Sequence, residues 1–243
     1  KLAYVLAKNF GVCEHDYLDP DNYFRTNNKI SFSRIQKACI SIYDGSKPIP
    51  QPTKHYVEKH NHIPPWILFK NLSFSNAINF FQLLKSQEKH EVADLLIPDK
   101  NLDYYKKVEF IIASLNIIRN FRNKMAHNLK FITYKSHFHS LDPKTILHLL
   151  PPGLLHWKDI RQNKIGLNDI YGDILCILIL LDDEYLQTSM LADFIISFNK
   201  MDNGKSTPMK LVKTKYFSIT RLPPDIAKRF TALYEAKLKL LNL

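Results

Sequence analysis

The chain has 243 residues, 45% of them hydrophobic, with 34 Lys and Arg against 23 Asp and Glu and a formal net charge of +11. That length can bury a real core as one large domain, or as one domain with a long insertion, and the charge favours a polyanionic partner: RNA, DNA or an acidic membrane surface. The three cysteines, Cys13, Cys39 and Cys176, lie far apart with no C-x-x-C pair, which points to neither a disulfide framework nor a zinc site and fits a reducing, cytoplasmic compartment.

Six glycines and the scarcity of strand-like alternation predict an all-α chain. The chain opens on Lys1 rather than Met, so a preceding segment is expected. Residues 1–51 read as an N-terminal helical region packed on the core, with one helix near Ser33–Tyr43 and a Pro-rich break over Gly45–Pro52. Residues 52–243 read as the main domain, ending in a basic helix. Pro64 and Pro65 suit the first turn of a short apolar helix. Ser73 suits the N-cap of the next, which carries Ile78, Phe80, Phe81 and Leu84, and another is expected over Glu88–Leu96. A long helix follows, from Leu102 to about Ala126. In it Tyr104, Val108, Ile111, Leu115, Ile118 and Arg122 step by three and four, forming a stripe that is apolar until its last member.

Asn128–Ser140 is basic and aromatic. Asp169–Leu181 reads as a buried helix, because its apolar run from Ile174 to Leu181 is far below the roughly 20 residues that span a bilayer. No membrane is expected as a partner. A helix near Tyr185–Phe198, a loop over Met201–Pro208 and a final amphipathic helix to about Leu240 complete the chain. Ile226, Phe230, Leu233, Leu238 and Leu241 form the apolar side of that last helix. Ten of the Lys and Arg residues lie between Lys200 and Leu243, opposed there only by Asp202, Asp225 and Glu235. Lys, Asn and Ile are also what an AT-rich genome supplies, so charge alone leaves nucleic acid and a plain solvated surface both open.

The segment Arg122-Asn-Lys-Met-Ala-His127, at the end of the long helix, carries the chemistry. At about 100° per residue, Arg119, Asn123 and His127 fall near 0°, 40° and 80°, with Arg122 about 60° to the other side, so one sector of roughly 140° holds all four. Scission of RNA by its own 2′-OH needs proton removal, proton donation and stabilisation of the phosphorane. Histidine moves protons at neutral pH, and arginine offers a planar fork to phosphate oxygens. No cofactor or metal is called for. One histidine serves poorly as both acid and base, so a C₂ homodimer that pairs two copies of the site is expected. Taken alone the R-x₄-H spacing is weak, since a histidine ending a helix is often only a partner of the helix dipole.

RNA contacts are expected from Arg119, Asn128, Lys130, Lys135, His137, Lys228 and Arg229. Phe131, Tyr134 and Phe138 are stacking candidates, while Trp66 and Trp157 are favoured as core. His60/His62 and His137/His139 are H-x-H pairs without an evident third metal ligand.

The motif goes beyond spacing. Arg122-Asn-Lys-Met-Ala-His127 resembles the R-N-x-x-A-H core of the Abi-like proteins (AbiD/AbiF type), members of the HEPN superfamily. His62–Ser75 is similar to that family's P-P-x-W…S-F-G segment, and Tyr171–Ile177 resembles the hydrophobic helix that often follows, so that the likeness runs from about Pro52 to Leu240. It implies a HEPN-type helical bundle with additional helices, akin to the HEPN modules of RNA-guided RNases. The implied activity is that of a metal-independent endoribonuclease toxin of bacterial abortive infection, and for some members a structured non-coding RNA acts as antitoxin. By motif position Arg122 and His127 would be catalytic, with Asn123 orienting the site. Ser75 stands where the family often has glycine. Lys130 stands where it often has arginine, which keeps the charge and loses the bidentate fork. The alternative is a non-catalytic RNA-binding scaffold that uses the same pocket for phosphate. A nucleotide-modifying toxin is weaker, since no G-S-x₉-D-x-D pattern is present.

Overall fold

A computed structural model describes residues 1–27, 29–202 and 207–240. The chain is all-α: beside a short antiparallel ribbon, β1 (Thr26–Asn27) and β2 (Ile30–Ser31), its regular elements among the described residues are helices. They form two compact units, Lys1–Ile112 and Ala113–Leu243, and the division falls within one continuous helix, α8 (Tyr104–Ala126).

The first unit contains α1 (Leu2–Phe10), α2 (Glu14–Tyr17), α3 (Phe32–Ile40), α4 (Thr53–His60), α5 (Pro65–Asn71), α6 (Phe74–Leu83) and α7 (Ser86–Leu96). The expected starts hold. Pro65 is the first residue of α5, and the Ser73 hydroxyl caps α6 by accepting from Asn76 N at 3.2 Å. The core is aromatic. Tyr23 stacks on Phe32 with centroids 4.2 Å apart, and Phe80 meets Tyr23 edge-on at 5.1 Å and Phe69 at 5.4 Å. Each buried ring of this size stabilises the fold by roughly 1.5–3 kcal/mol relative to exposure. The helices α1 and α4 were not anticipated, because each is short and α4 has few apolar residues from which to read a period.

The second unit contains the C-terminal half of α8, then α9 (Pro143–Leu149), α10 (Ile170–Leu180), α11 (Glu184–Asp202), α12 (Thr207–Thr220) and α13 (Ile226–Leu240). The apolar run expected to be buried is α10, in which Tyr171–Cys176 and Leu178 are enclosed. Asp169 caps it, its carboxylate accepting from Gly172 N and from Gly166 N, both at 3.0 Å. Helices α11 and α13 pair antiparallel, Glu184 meeting Lys237 at 2.6 Å at one end while Phe194 packs on Phe230 at 5.5 Å. Of the residues expected as a loop over Met201–Pro208, Met201 and Asp202 belong to α11 and Thr207 and Pro208 to α12. Residues 203–206 and Leu241 lie outside the described residues. No described helix is long and apolar enough to cross a membrane.

One departure bears on the site. The fully buried face of α8 is Lys107, Phe110, Ile111, Ser114, Ile117 and Phe121, whereas Val108, Leu115 and Ile118 are only half-buried. The helix is therefore turned by about one residue, roughly 100°, from the expected stripe. Burial of Lys107 is matched by its 2.6 Å ion pair with Asp94, and polar groups so partnered do not register in an apolar periodicity. The same turn leaves Arg122 facing outward beside the buried Phe121.

Candidate functional site

The C-terminal end of α8 is closed by backbone geometry that fixes where His127 sits. His127 N–H donates to Asn123 O at 3.1 Å, Asn128 N–H to Met125 O at 3.0 Å, and Leu129 N–H to Lys124 O at 2.8 Å. Asn128 has φ +52°. These are the paired bonds of a Schellman ending, with His127 as the capping residue directly after Ala126 and Asn128 in the left-handed position that glycine or asparagine fills most readily. Asn128 thus has a structural role, terminating α8 immediately after the histidine.

Arg122, Asn123 and His127 are all exposed, on the side of α8 away from Phe121. Arg122 Nη1 donates to Asn123 Oδ1 at 3.2 Å, so Asn123 touches the guanidinium with its side chain and the His127 backbone with its carbonyl. Arg119 is half-buried one turn earlier and reaches Asn120 Oδ1 at 3.5 Å.

The basic, aromatic segment after α8 folds back along it. Tyr134 packs edge-on against Phe121 at 5.2 Å, with Lys124 Nζ 4.9 Å from its ring centroid. Asn120 Nδ2 donates to Ser136 Oγ at 3.4 Å. Farther on, His139 comes beside Arg119, and burial followed by that positive charge lowers its pKa from the ordinary histidine value. Its neutral form is favoured. The other flank of the segment is pinned to the turn before α10: Ser136 N–H donates to Asn168 O at 2.7 Å, and Lys135 Nζ to Lys164 O at 2.7 Å.

The proposed RNA contacts divide. Lys130, His137 and Lys228 are exposed, as is Phe138 at 92%. Lys135 is half-buried and partly committed to Lys164 O. Arg229 is a correction. Its side chain is 9% exposed, and it donates to Asp159 Oδ2 at 2.6 Å, to Asp225 Oδ1 at 2.9 Å and to Leu154 O at 2.9 Å. Burial is the largest single influence on Asp159 and works against its ionisation, but the hydrogen bonds from Arg229 and the His156 N–H and the charge of Arg229 together outweigh it and hold the carboxyl below its ordinary value. A guanidinium so occupied has no fork left for phosphate and is a structural strut. The tryptophans are also corrected: Trp66 and Trp157 are 46% and 43% exposed, and Trp157 carries Arg161 at 4.6 Å over its ring. Of the basic residues counted near the C-terminus, the side chains of Lys200, Lys205, Lys210 and Lys213 lie outside the described residues.

Among the described residues the H-x-H pairs gather no third ligand. The described group with converging metal-ligand atoms is Cys13, His15 and Asp16, within 4.8 Å of one another in the first unit. Sequence reasoning passed over Asn120, and it took in His139 only as half of an H-x-H pair and Arg221 only as one of the ten C-terminal cations. What distinguishes Asn120 and His139 is the fold-back of residues 130–139 onto α8.

The family model for Abi-like proteins matches residues 1–133, more than half of the 243-residue chain and inclusive of the Arg122–His127 motif. Comparisons with curated proteins and with solved structures gave no match. The family match takes in the N-terminal region, which the resemblance read from motifs had left aside.

Proposed function

Because the chain belongs to the Abi-like protein family, we propose that it is a toxin of bacterial abortive infection, a defence against phage. In this reading it is a metal-independent HEPN endoribonuclease of AbiD/AbiF kinship, acting on RNA in the cytoplasm. The observation that carries the reading is the end of α8, where Arg122 and His127 stand exposed with Asn123 bonded to the first and bracing the backbone of the second. The 2′-OH gives up its proton as its oxygen bonds to the adjacent phosphorus. The bond from phosphorus to the 5′ oxygen breaks, and that oxygen takes up a proton. The products are a 2′,3′-cyclic phosphate and a 5′-hydroxyl. His127 moves the proton, and the Arg122 fork holds the non-bridging oxygens as charge builds.

A second proton-transfer group comes from His127 of another copy in a C₂ dimer. Met125 and Leu129, 50% and 51% exposed beside the motif, support that pairing, because apolar side chains rimmed by polar ones are what an isologous contact buries. His139, next to Arg119, is the alternative source within one chain. The +11 charge supports RNA as substrate and a structured non-coding RNA as controlling partner. The exposed cations around the motif fit equally a scaffold that binds RNA without cutting it. Purified His127→Ala protein separates the two: cleavage is lost while RNA binding persists if the enzyme reading holds, and unchanged cleavage ends it.

A further inference from the structure

Beside the motif, wholly within the second unit, lies a cleft of about 490 Å³ walled on one side by the segment that follows α8 and on the other by the turn between α12 and α13. Three cations line it, Lys130, Lys135 and Arg221. A single acid, Asp169, shares the lining, but its side chain is 6% exposed and its oxygens are engaged by the N–H groups of Gly166 and Gly172. The field in the cleft is therefore positive. Apolar surface is present too, from the half-exposed Ile219. The volume falls within the roughly 300–1,000 Å³ of small-ligand sites, generous for a lone phosphate and suited to a nucleotide with its phosphodiester. Lys130 is three residues beyond His127, so their Cα atoms are at most about 11 Å apart, within reach of a nucleotide neighbouring a scissile linkage. Tyr134 joins the two places, lining the cleft while its ring rests on Phe121 and under Lys124 of α8.

We propose that this cleft is an RNA subsite, in which Lys130 and Arg221 hold the phosphodiester of a single-stranded nucleotide flanking the one at Arg122 and His127. It rests on the reading of the chain as an RNA-acting protein. Lys135 is tied to Lys164 O and lies 4.0 Å from Asp169 Oδ2, which offsets its charge, so the positive field of the cleft comes from Lys130 and Arg221. Arg221 stands at φ +57°, a left-handed conformation that asparagine also accepts, so Arg221→Asn removes the charge without straining the turn.

The test titrates a short, 5′-fluorescein-labelled single-stranded RNA by fluorescence anisotropy across a series of KCl concentrations. The protein is the full chain bearing His127→Ala to keep the RNA intact, with and without Lys130→Ala and Arg221→Asn. The double variant should bind several-fold more weakly. Its slope of log affinity against log salt should be shallower by about 1.4, about 0.7 for each of two lost phosphate contacts. Unchanged affinity and slope, with unchanged circular dichroism, overturn the proposal. If the double variant misfolds, Lys130→Glu alone, in an exposed position, must still weaken binding, and failure to do so is equally decisive. The ribonuclease reading fails separately. Wild-type chain that cuts no RNA while the cleft variants lose affinity ends the nuclease and supports the subsite, whereas cleavage dependent on His127 with indifferent cleft variants does the reverse.

Discussion

Two arginines, Arg122 as a catalytic candidate and Arg229 as a candidate RNA contact, were both expected to meet phosphate, and their surroundings divide them. At the end of α8 the Arg122 side chain donates to the exposed neighbouring amide of Asn123 and opens to solvent. On α13 the Arg229 side chain is enclosed, bonded to two carboxylates and a carbonyl. A guanidinium becomes a site when the fold leaves its fork unfilled and a strut when the fold fills it. What decides between them is whether acids from another element converge on it, as Asp159 does.

That contrast can be broken by mutation. The largest effect is expected at the open end: Arg122→Ala or His127→Ala should lower RNA cleavage by roughly 10²–10⁴-fold. Both positions are exposed, so the thermal midpoint should stay near wild type. Equal losses of activity and stability would place Arg122 with Arg229. Arg229→Ala should do the opposite, costing roughly 3–5 kcal/mol in chemical denaturation by stranding Asp159, while activity of the protein that remains folded is kept. A stability loss below about 1 kcal/mol would mean that the pair is not the strut described.

A buried acid without a cation sharpens the comparison. Asp173 is 6% exposed, its Oδ1 has no hydrogen-bond partner, and burial pushes its pKa up to about 7 from 3.8. Between these two values the unfolded chain has released the proton and the folded chain still holds it. The contribution of Asp173 to stability is therefore full below about pH 4, falls as pH rises toward 7, and then levels off. Asp173→Asn should abolish this slope and gain roughly 3–4 kcal/mol at pH 8. A pH profile of denaturation midpoints identical in the two proteins would refute it. The smallest effect is expected at the helix ending: Asn128→Ala should cost about 1–2 kcal/mol and Asn128→Gly little or nothing, read from thermal unfolding. Equal costs would deny the left-handed role.

The helices with long apolar periods, α6, α8, α10 and α13, were legible in the sequence, as were the starts that Pro65, Ser73 and Asp169 set. Short or polar helices such as α1, α4 and α9 were not, because tertiary packing rather than local pattern holds them. The position of the motif at the exposed end of α8 was readable from spacing. Its orientation was not: the rotation of α8 depends on buried Lys107, Ser114 and Asn116, which no hydrophobic count detects. Neither Arg229's burial nor the cleft at Arg221 can be read locally, since each joins segments distant in sequence.

The most direct measurement is end-group analysis of RNA incubated with the purified full chain in the presence of a metal chelator. Fragments carrying 2′,3′-cyclic phosphate and 5′-hydroxyl ends, absent when Arg122→Ala or His127→Ala protein is used, are what the open end of α8 predicts. Intact RNA with the wild-type chain, or the same fragments from both variants, would contradict it.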